Sequence, residues 1–454
     1  MKKILILAGI AGGLGAFVYF YEIEGSKKRE KAEQFEASLI KIEREDIQSI
    51  TLIQEEGEII KYERTGDDWE ITEPVRTSVE ESVVNGNYSA FANAKIKRRL
   101  NTTSDKLKNF GLEPAHGEVI IESIDGNKVE LLIGDEAATR GDLFISFRDS
   151  NSVFITSDNL KTEVEKTLFN LRDKKIAHYD KDKVNRIELA TKDDTIIIEK
   201  SGEEWSMTSP DLPVEVSRVN SYLNSLTNYS AKEFVAEEFD NPSQYGFDAP
   251  EAKLTLSLGE EKATKELVIG KAVKDGDDTN FFAYESGRAP VFTVRESNKN
   301  NVARDPFYFQ DKKLAQYNED ALSEIRISGA YQITLIPQDT LGWYVSGDTT
   351  IKLEKSDMNR LFSAIGGVTA TELVSENSKD LSSYGLKEPF LEVVLTDTAG
   401  SSIGYSIGDS DVDNDRYAVS SSRPRIYKVS ITTVERIKDW IEEIRETDAT
   451  PPTE

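Results

Sequence analysis

The chain has 454 residues, 82 acidic against 56 basic, for a net charge of -26. That acidity opposes phosphate-rich partners, so nucleic acid is not an expected ligand. The absence of cysteine removes disulfides, thiolate zinc sites, iron–sulfur clusters and a cysteine nucleophile, and two histidines, His116 and His178, are too few for most histidine-rich metal sites.

Lys2 and Lys3 precede an apolar run from Ile4 to Tyr21. At 1.5 Å per residue a run of this length reaches about 27 Å, close to the ~30 Å hydrocarbon core of a bilayer. The run ends in Val18-Tyr19-Phe20-Tyr21-Glu22, without the small residues of a signal-peptidase site. A transmembrane anchor over residues 1–21 and a linker over 22–37 are therefore expected. Lys27, Lys28, Arg29 and Lys31 follow the run, so the balance of basic residues does not set its orientation. The signal-like order, a short basic start and then the apolar run, predicts a cytoplasmic N-terminus and an extracytoplasmic bulk. Gly9 and Gly13 form a small-xxx-small pair suited to packing against another membrane helix.

Beyond the linker, three markers recur in one order. The first is a tryptophan in a short strand: Trp69, Trp205 and Trp343. An aromatic-Gly pair before a proline follows, as Phe110-Gly111 with Pro114, Tyr245-Gly246 with Pro250, and Tyr384-Gly385 with Pro389. The third is an Ile-Gly pair: Ile133-Gly134, Ile269-Gly270 and Ile407-Gly408. From tryptophan to aromatic is 41, 40 and 41 residues, and from the first glycine to the second is 23, 24 and 23. A joint motif, Asp173-Lys174-Lys175-Ile176-Ala177-His178-Tyr179, returns as Asp311-Lys312-Lys313-Leu314-Ala315-Gln316-Tyr317. Nothing equivalent follows the third copy. The period exceeds the 20–50 residues of solenoid repeats, so the copies read as tandem domains.

Within a copy, alternating strands such as Ile50–Ile53 and Ile59–Tyr62 come first, then the tryptophan strand. A helix follows, with apolar residues Val219, Tyr222, Leu223 and Leu226 in copy two and Met358, Leu361, Phe362 and Ile365 in copy three. Copy one keeps Val84, Tyr88 and Phe91 but places Asn87 on that face, behind a capping-box spacing at Ser78-Val79-Glu80-Glu81. Four strands then follow, such as Glu118–Ile124 and Lys128–Ile133 around Asp125-Gly126, a strong hairpin signal. A last helix, clearest after Thr432-Thr433-Val434-Glu435, buries Val434, Ile437, Ile441 and Ile444. The order βββ-α-ββββ-α predicts an α+β fold with mainly antiparallel sheet. The expected domains are 38–176, 177–314 and 315–447, with a disordered tail over 448–454.

Few residues suggest chemistry. The repeated tryptophans read as core, and the aromatic-Gly…Pro motif as a turn in which glycine supplies positive φ. Asp409, Asp411, Asp413 and Asp415 alternate as at the start of a calcium loop, but Asn414 and Ser420 stand where the loop glycine and the bidentate glutamate belong, so a solvated hairpin loop is the better reading. No nucleophile elbow, phosphate loop, dinucleotide fingerprint or H-E-x-x-H occurs. No catalytic residue and no cofactor are expected.

The W-x-[IMV], [YF]-G-[LF]-x-(x)-P and I-G markers, with the Asp-Lys-Lys joint and the N-terminal apolar run, resemble a bacterial family of tandem uncharacterised domains with an N-terminal membrane anchor. Such proteins are associated with gliding-motility-type ABC transport systems. The resemblance covers Ile4 to about Thr447, and copy one departs from it only in using Phe110 for tyrosine. It implies a single-pass inner-membrane protein, an auxiliary or scaffold whose partners are an ABC permease, its ATPase or other envelope proteins. The alternative expectation is an extracytoplasmic module that binds an envelope glycan or a divalent cation.

Overall fold

The computed structural model describes residues 39–448, apart from 67, 102–103, 151, 158, 262, 339–341 and 378. The expected anchor, the linker and all but the first residue of the expected tail lie outside the described residues. Among the described residues no helix is long and apolar enough to cross a membrane.

The first copy contains β1 (Ile47–Gln54), β2 (Ile59–Thr65), β3 (Asp68–Glu73), β4 (Thr77–Ser78), α1 (Glu81–Asn93), β5 (Arg98–Asn101), β6 (Gly117–Ser123), β7 (Lys128–Glu136), β8 (Asp142–Phe147), β9 (Ser152–Ser157), α2 (Asn159–Val164) and α3 (Leu168–Leu171). The second contains β10 (Val184–Thr191), β11 (Thr195–Ser201), β12 (Glu204–Ser209), β13 (Asp211–Leu212), α4 (Val216–Leu226), β14 (Glu233–Ala236), α5 (Pro242–Tyr245), β15 (Ala252–Leu258), β16 (Ala263–Asp275), β17 (Asp278–Glu285), β18 (Val291–Arg295), α6 (Glu296–Val302) and α7 (Pro306–Phe309). The third contains β19 (Leu322–Gly329), β20 (Ile333–Pro337), β21 (Trp343–Val345), β22 (Asp348–Leu353), α8 (Lys355–Gly366), β23 (Ala370–Ser375), β24 (Leu391–Asp397), β25 (Ser402–Ser410), β26 (Arg416–Ser420), β27 (Arg423–Val429) and α9 (Ile431–Asp448).

The strand order is the same three times: β4-β3-β2-β1-β6-β7-β8-β9-β5, β13-β12-β11-β10-β15-β16-β17-β18-β14, and β22-β21-β20-β19-β24-β25-β26-β27-β23. Pairing is antiparallel in the central pairs of each sheet, and the bulge near the start of the first strand recurs at Ile47/Ser49, Val184/Arg186 and Leu322/Glu324. Antiparallel α+β architecture in three tandem copies thus matches the sequence reading. Two strands per copy depart from βββ-α-ββββ-α. One is the short strand before the helix. The other is β5, β14 or β23, which follows the helix and pairs with the last strand at the far edge of the sheet.

The helices cover one face of each sheet, because alternate strand residues there are apolar. In the first copy Ile50, Leu52, Ile60, Tyr62 and Ile71 face Val84, Phe91, Leu160 and Val164 in one buried cluster. Asn87 is fully buried on the same helix face; its amide donates to the Tyr62 hydroxyl at 3.2 Å and its carbonyl oxygen accepts from Lys166 Nζ at 2.9 Å. Neither expected capping box forms. Ser78 is taken into β4, and the helix starts at Glu81 without a side-chain cap. At the third copy's end the helix begins at Ile431, so Thr432 and Thr433 lie within its first turn. Among the described residues, capping boxes form at Thr167 with Asn170 and at Glu354 with Asp357.

The chain forms two compact units. Of the described residues, one holds those up to His178 with Thr227–Pro250 and Leu267–Lys299; the other holds Tyr179–Leu226, Glu251–Glu266 and those from Asn300 onward. The joint between copies one and two packs inside the first unit, and the joint between copies two and three inside the second.

Candidate functional site

The shared markers prove to be two halves of one packing device. Gly111, Gly246 and Gly385 all adopt positive φ, at 65°, 78° and 67°. This turn sets the preceding carbonyl oxygen, of Phe110, Tyr245 or Tyr384, against Gly134, Gly270 or Gly408, where an added Cβ would overlap it. The aromatic-Gly and Ile-Gly pairs are therefore spaced alike because each closes on the other. The tryptophans are packing residues: Trp205 is buried, while Trp69 and Trp343 are half-buried against the core, edge-on to Tyr62 at 5.8 Å and to Phe362 at 6.2 Å.

The joints carry the densest polar chemistry. A copy leaves its own sheet by pairing with the segment before its first helix. Glu80 N–H bonds Leu171 O and Asp173 N–H bonds Ser78 O; in the next copy Glu215 N–H bonds Phe309 O and Asp311 N–H bonds Pro213 O. The chain then crosses at once to the following copy, where Ile176 N–H bonds Tyr229 O and Leu314 N–H bonds Val368 O. At the first joint Arg172, 1% exposed, places its guanidinium 3.6 Å from the Phe234 ring centre and donates to both Glu237 oxygens at 2.7 and 3.0 Å. At the second, Gln310 stands at that position, and its amide donates to the Tyr427 hydroxyl at 2.9 Å while Phe307 stacks on the same ring.

His178 sits beside this contact. Its Nε2 lies 2.6 Å from Asp173 Oδ2 and its Nδ1 lies 2.7 Å from Glu285 Oε2, with Glu285 1% exposed. Burial pulls the imidazole pKa down, but the hydrogen bonds to Asp173 and Glu285 prevail and raise it to about 9. Arg288 completes the group, donating to the Lys175 and Asp173 carbonyls. The second joint keeps the frame but has neutral residues in place of the histidine and the glutamate. Gln316 donates to Asp311, Arg423 donates to the Asp311 and Lys313 carbonyls, and Ser420 donates to Leu314 O in the place of Glu285. The first lysine of each joint is structural: Lys174 Nζ donates to the Phe169 and Asn170 carbonyls, and burial pushes its pKa down; Lys312 Nζ lies 4.0 Å from the Phe307 ring centre. Sequence reading marked the motif but missed Glu285, Arg288 and Ser420, which lie about a hundred residues away.

The other histidine, His116, lies between Glu55 at 3.0 Å and Asp135 at 2.7 Å; the bond to Asp135, then that to Glu55, raises its pKa. The four aspartates of the third copy are not gathered around one point. Asp411 pairs with Lys428 at 3.0 Å and accepts the Asp413 amide, whereas Asp409 lies under Gly385. Among the described residues no group of three or more histidine, aspartate or glutamate side chains is placed to hold a metal ion.

The third copy ends differently. α9 runs on where the earlier copies break into two short helices, and Trp440 Nε1 donates to Asp357 O at 2.8 Å. The Glu354 N–H, equivalent to those that take Leu171 O and Phe309 O, is capped instead by Asp357 Oδ2 at 3.0 Å. The fold is thus an array of nine-stranded antiparallel modules joined by buried polar contacts. Family comparison agrees: the model described as a domain of unknown function, DUF4340, matches residues 69–211, 205–343 and 343–452, and the chain belongs to that family. Each match opens on a marker tryptophan, two strands inside the corresponding sheet. No curated protein matches the chain.

Proposed function

We propose that the protein is a membrane-anchored, extracytoplasmic scaffold of an ABC-type transport complex of the gliding-motility kind, acting through protein–protein contacts. The observation that carries this reading is the use made of the recurring residues. Every recurrent marker is committed to a turn, a core position or a joint, so what the copies share is architecture. At each joint the chain is tied to both neighbouring copies by hydrogen bonds, several of them buried. Repeated modules tied together in this way suit a protein that offers its surfaces to several protein partners. The anchor at residues 1–21 and the bacterial inner membrane as location rest on the apolar run and the family resemblance. A phosphatase reporter fused after Thr447 tests the topology: activity is expected outside the cytoplasm, and activity confined to the cytoplasm sinks the reading.

A second reading, ligand binding, is favoured by one cavity. About 580 Å³ lies between the second joint and α8, lined by Lys313, Gln316, Tyr317, Glu319, Asn359 and Ser363. Its mixed donors and acceptors beside an aromatic ring suit a glycan better than a lone cation. A glycan array probed with the full chain in detergent decides it, because binding that Asn359→Leu leaves unchanged would place the ligand elsewhere.

A further inference from the structure

The strand that receives each joint differs between copies. In the second copy one face of β14 is covered, with Phe169 and the Arg172 guanidinium both packed on Phe234, while Glu233 and Val235 are exposed. The matching strand of the first copy is β5, in the same register: Lys97 N–H bonds Ile155 O as Lys232 N–H bonds Thr293 O. Here Lys95, Ile96, Lys97, Arg98 and Arg99 are all exposed, at the far edge of the sheet. Four of those five are basic in a chain of net charge -26. Arg98 stands where the later copies have Glu233 and Glu372. Lys97 is neutralised by Asp142, and Arg99 donates to Ser152 Oγ. Lys95, Arg98 and Arg140, the last on the hairpin whose Gly141 carbonyl meets Lys97, form no ion pair among the described residues.

The strip also lies where the chain comes from. Leu39 N–H bonds Ala94 O, next to Lys95. Residues 22–38 separate Leu39 from the apolar run, a reach of at most about 60 Å fully extended. We infer that the edge segment Lys95–Arg99, which leads into β5, rests with Arg140 on anionic phospholipid headgroups beside the anchor. This rests on the anchored reading above. Headgroup phosphates complement these cations, and the acidity of the chain as a whole confines the contact to this strip and so orients the first copy.

The chain has no cysteine, so Ile96→Cys supplies a single labelling site at a position 41% exposed. The full chain, labelled there with a fluorophore, is reconstituted in nanodiscs carrying a headgroup nitroxide lipid. The discs are either phosphatidylcholine or phosphatidylcholine with about one-third phosphatidylglycerol. Quenching is expected to be several-fold stronger in the anionic discs, to vanish in ~1 M salt, where the screening length falls to ~3 Å, and to vanish with Lys95→Glu plus Arg98→Glu. Equal quenching in both discs overturns the inference while leaving the anchor intact. Shielding of the label that depends on protein concentration in both discs makes the strip a contact between chains and also overturns it. Failure of the chain to enter neutral discs overturns the anchored reading itself.

Discussion

Arg172 belongs to the first copy and Glu237 to the second, and guanidinium and carboxylate meet at 2.7 and 3.0 Å with the arginine shut away from water. The two partners are not equally buried, since the Glu237 side chain keeps 42% of its exposure. Removing the glutamate strands a buried cation, whereas removing the arginine leaves a carboxylate that water reaches. Glu237→Gln is therefore expected to cost about 3 kcal/mol and Arg172→Met about 1 kcal/mol. Denaturation of the detergent-solubilised chain measures both. Hydrogen exchange should localise the loss to residues 169–176 and 229–237.

His178 makes the first joint pH-sensitive. Its folded pKa, about 9, lies above the ordinary value of 6.5. The stabilisation is complete below the ordinary value and fades as pH rises through the folded one. It is expected to be about 2 kcal/mol, allowing for the partly exposed ring. The denaturation midpoint of His178→Gln, the residue the second joint uses at Gln316, should approach that of the wild type as pH climbs from 6 towards 10. A constant difference across that range would contradict the assignment.

The interlocked glycines are expected to behave unlike other glycines. Gly408→Ala sets a methyl group against the Tyr384 carbonyl, where only backbone can yield, and should cost about 3 kcal/mol. Gly86, inside α1 with open space around it, should gain about 0.5–1 kcal/mol as alanine. Thermal unfolding of the two variants distinguishes them by sign.

In the acidic hairpin, Asp411 is engaged by Lys428 and by the Asp413 amide. Calcium at about 1 mM, the range of extracellular calcium modules, should leave the unfolding midpoint unchanged in the wild type and in Asp411→Ala. A rise seen only in the wild type would restore a cation site there.

The repeat was legible because its markers are local: a turn glycine, a strand tryptophan and a helix stripe each announce themselves within a few residues. What they close upon was not legible. The spacing of Gly385 and Gly408 was plain, yet nothing local says that the Tyr384 carbonyl is what Gly408 must admit. Strand β5, Arg-Arg-Leu-Asn, lacks the alternation of a half-buried strand because it lies at an exposed edge. Ser78 read as a helix cap, but tertiary pairing supplies Leu171 O to the Glu80 N–H and makes the cap unnecessary. The joint motif was visible, while Glu285 and Arg288 join it only through the fold.

The scaffold reading is tested most directly by purifying the full chain, tagged at its C-terminus, from crosslinked native membranes. An ABC permease and its ATPase recovered with the chain in a fixed ratio is the predicted result. Recovery of the chain from those membranes without either would contradict it.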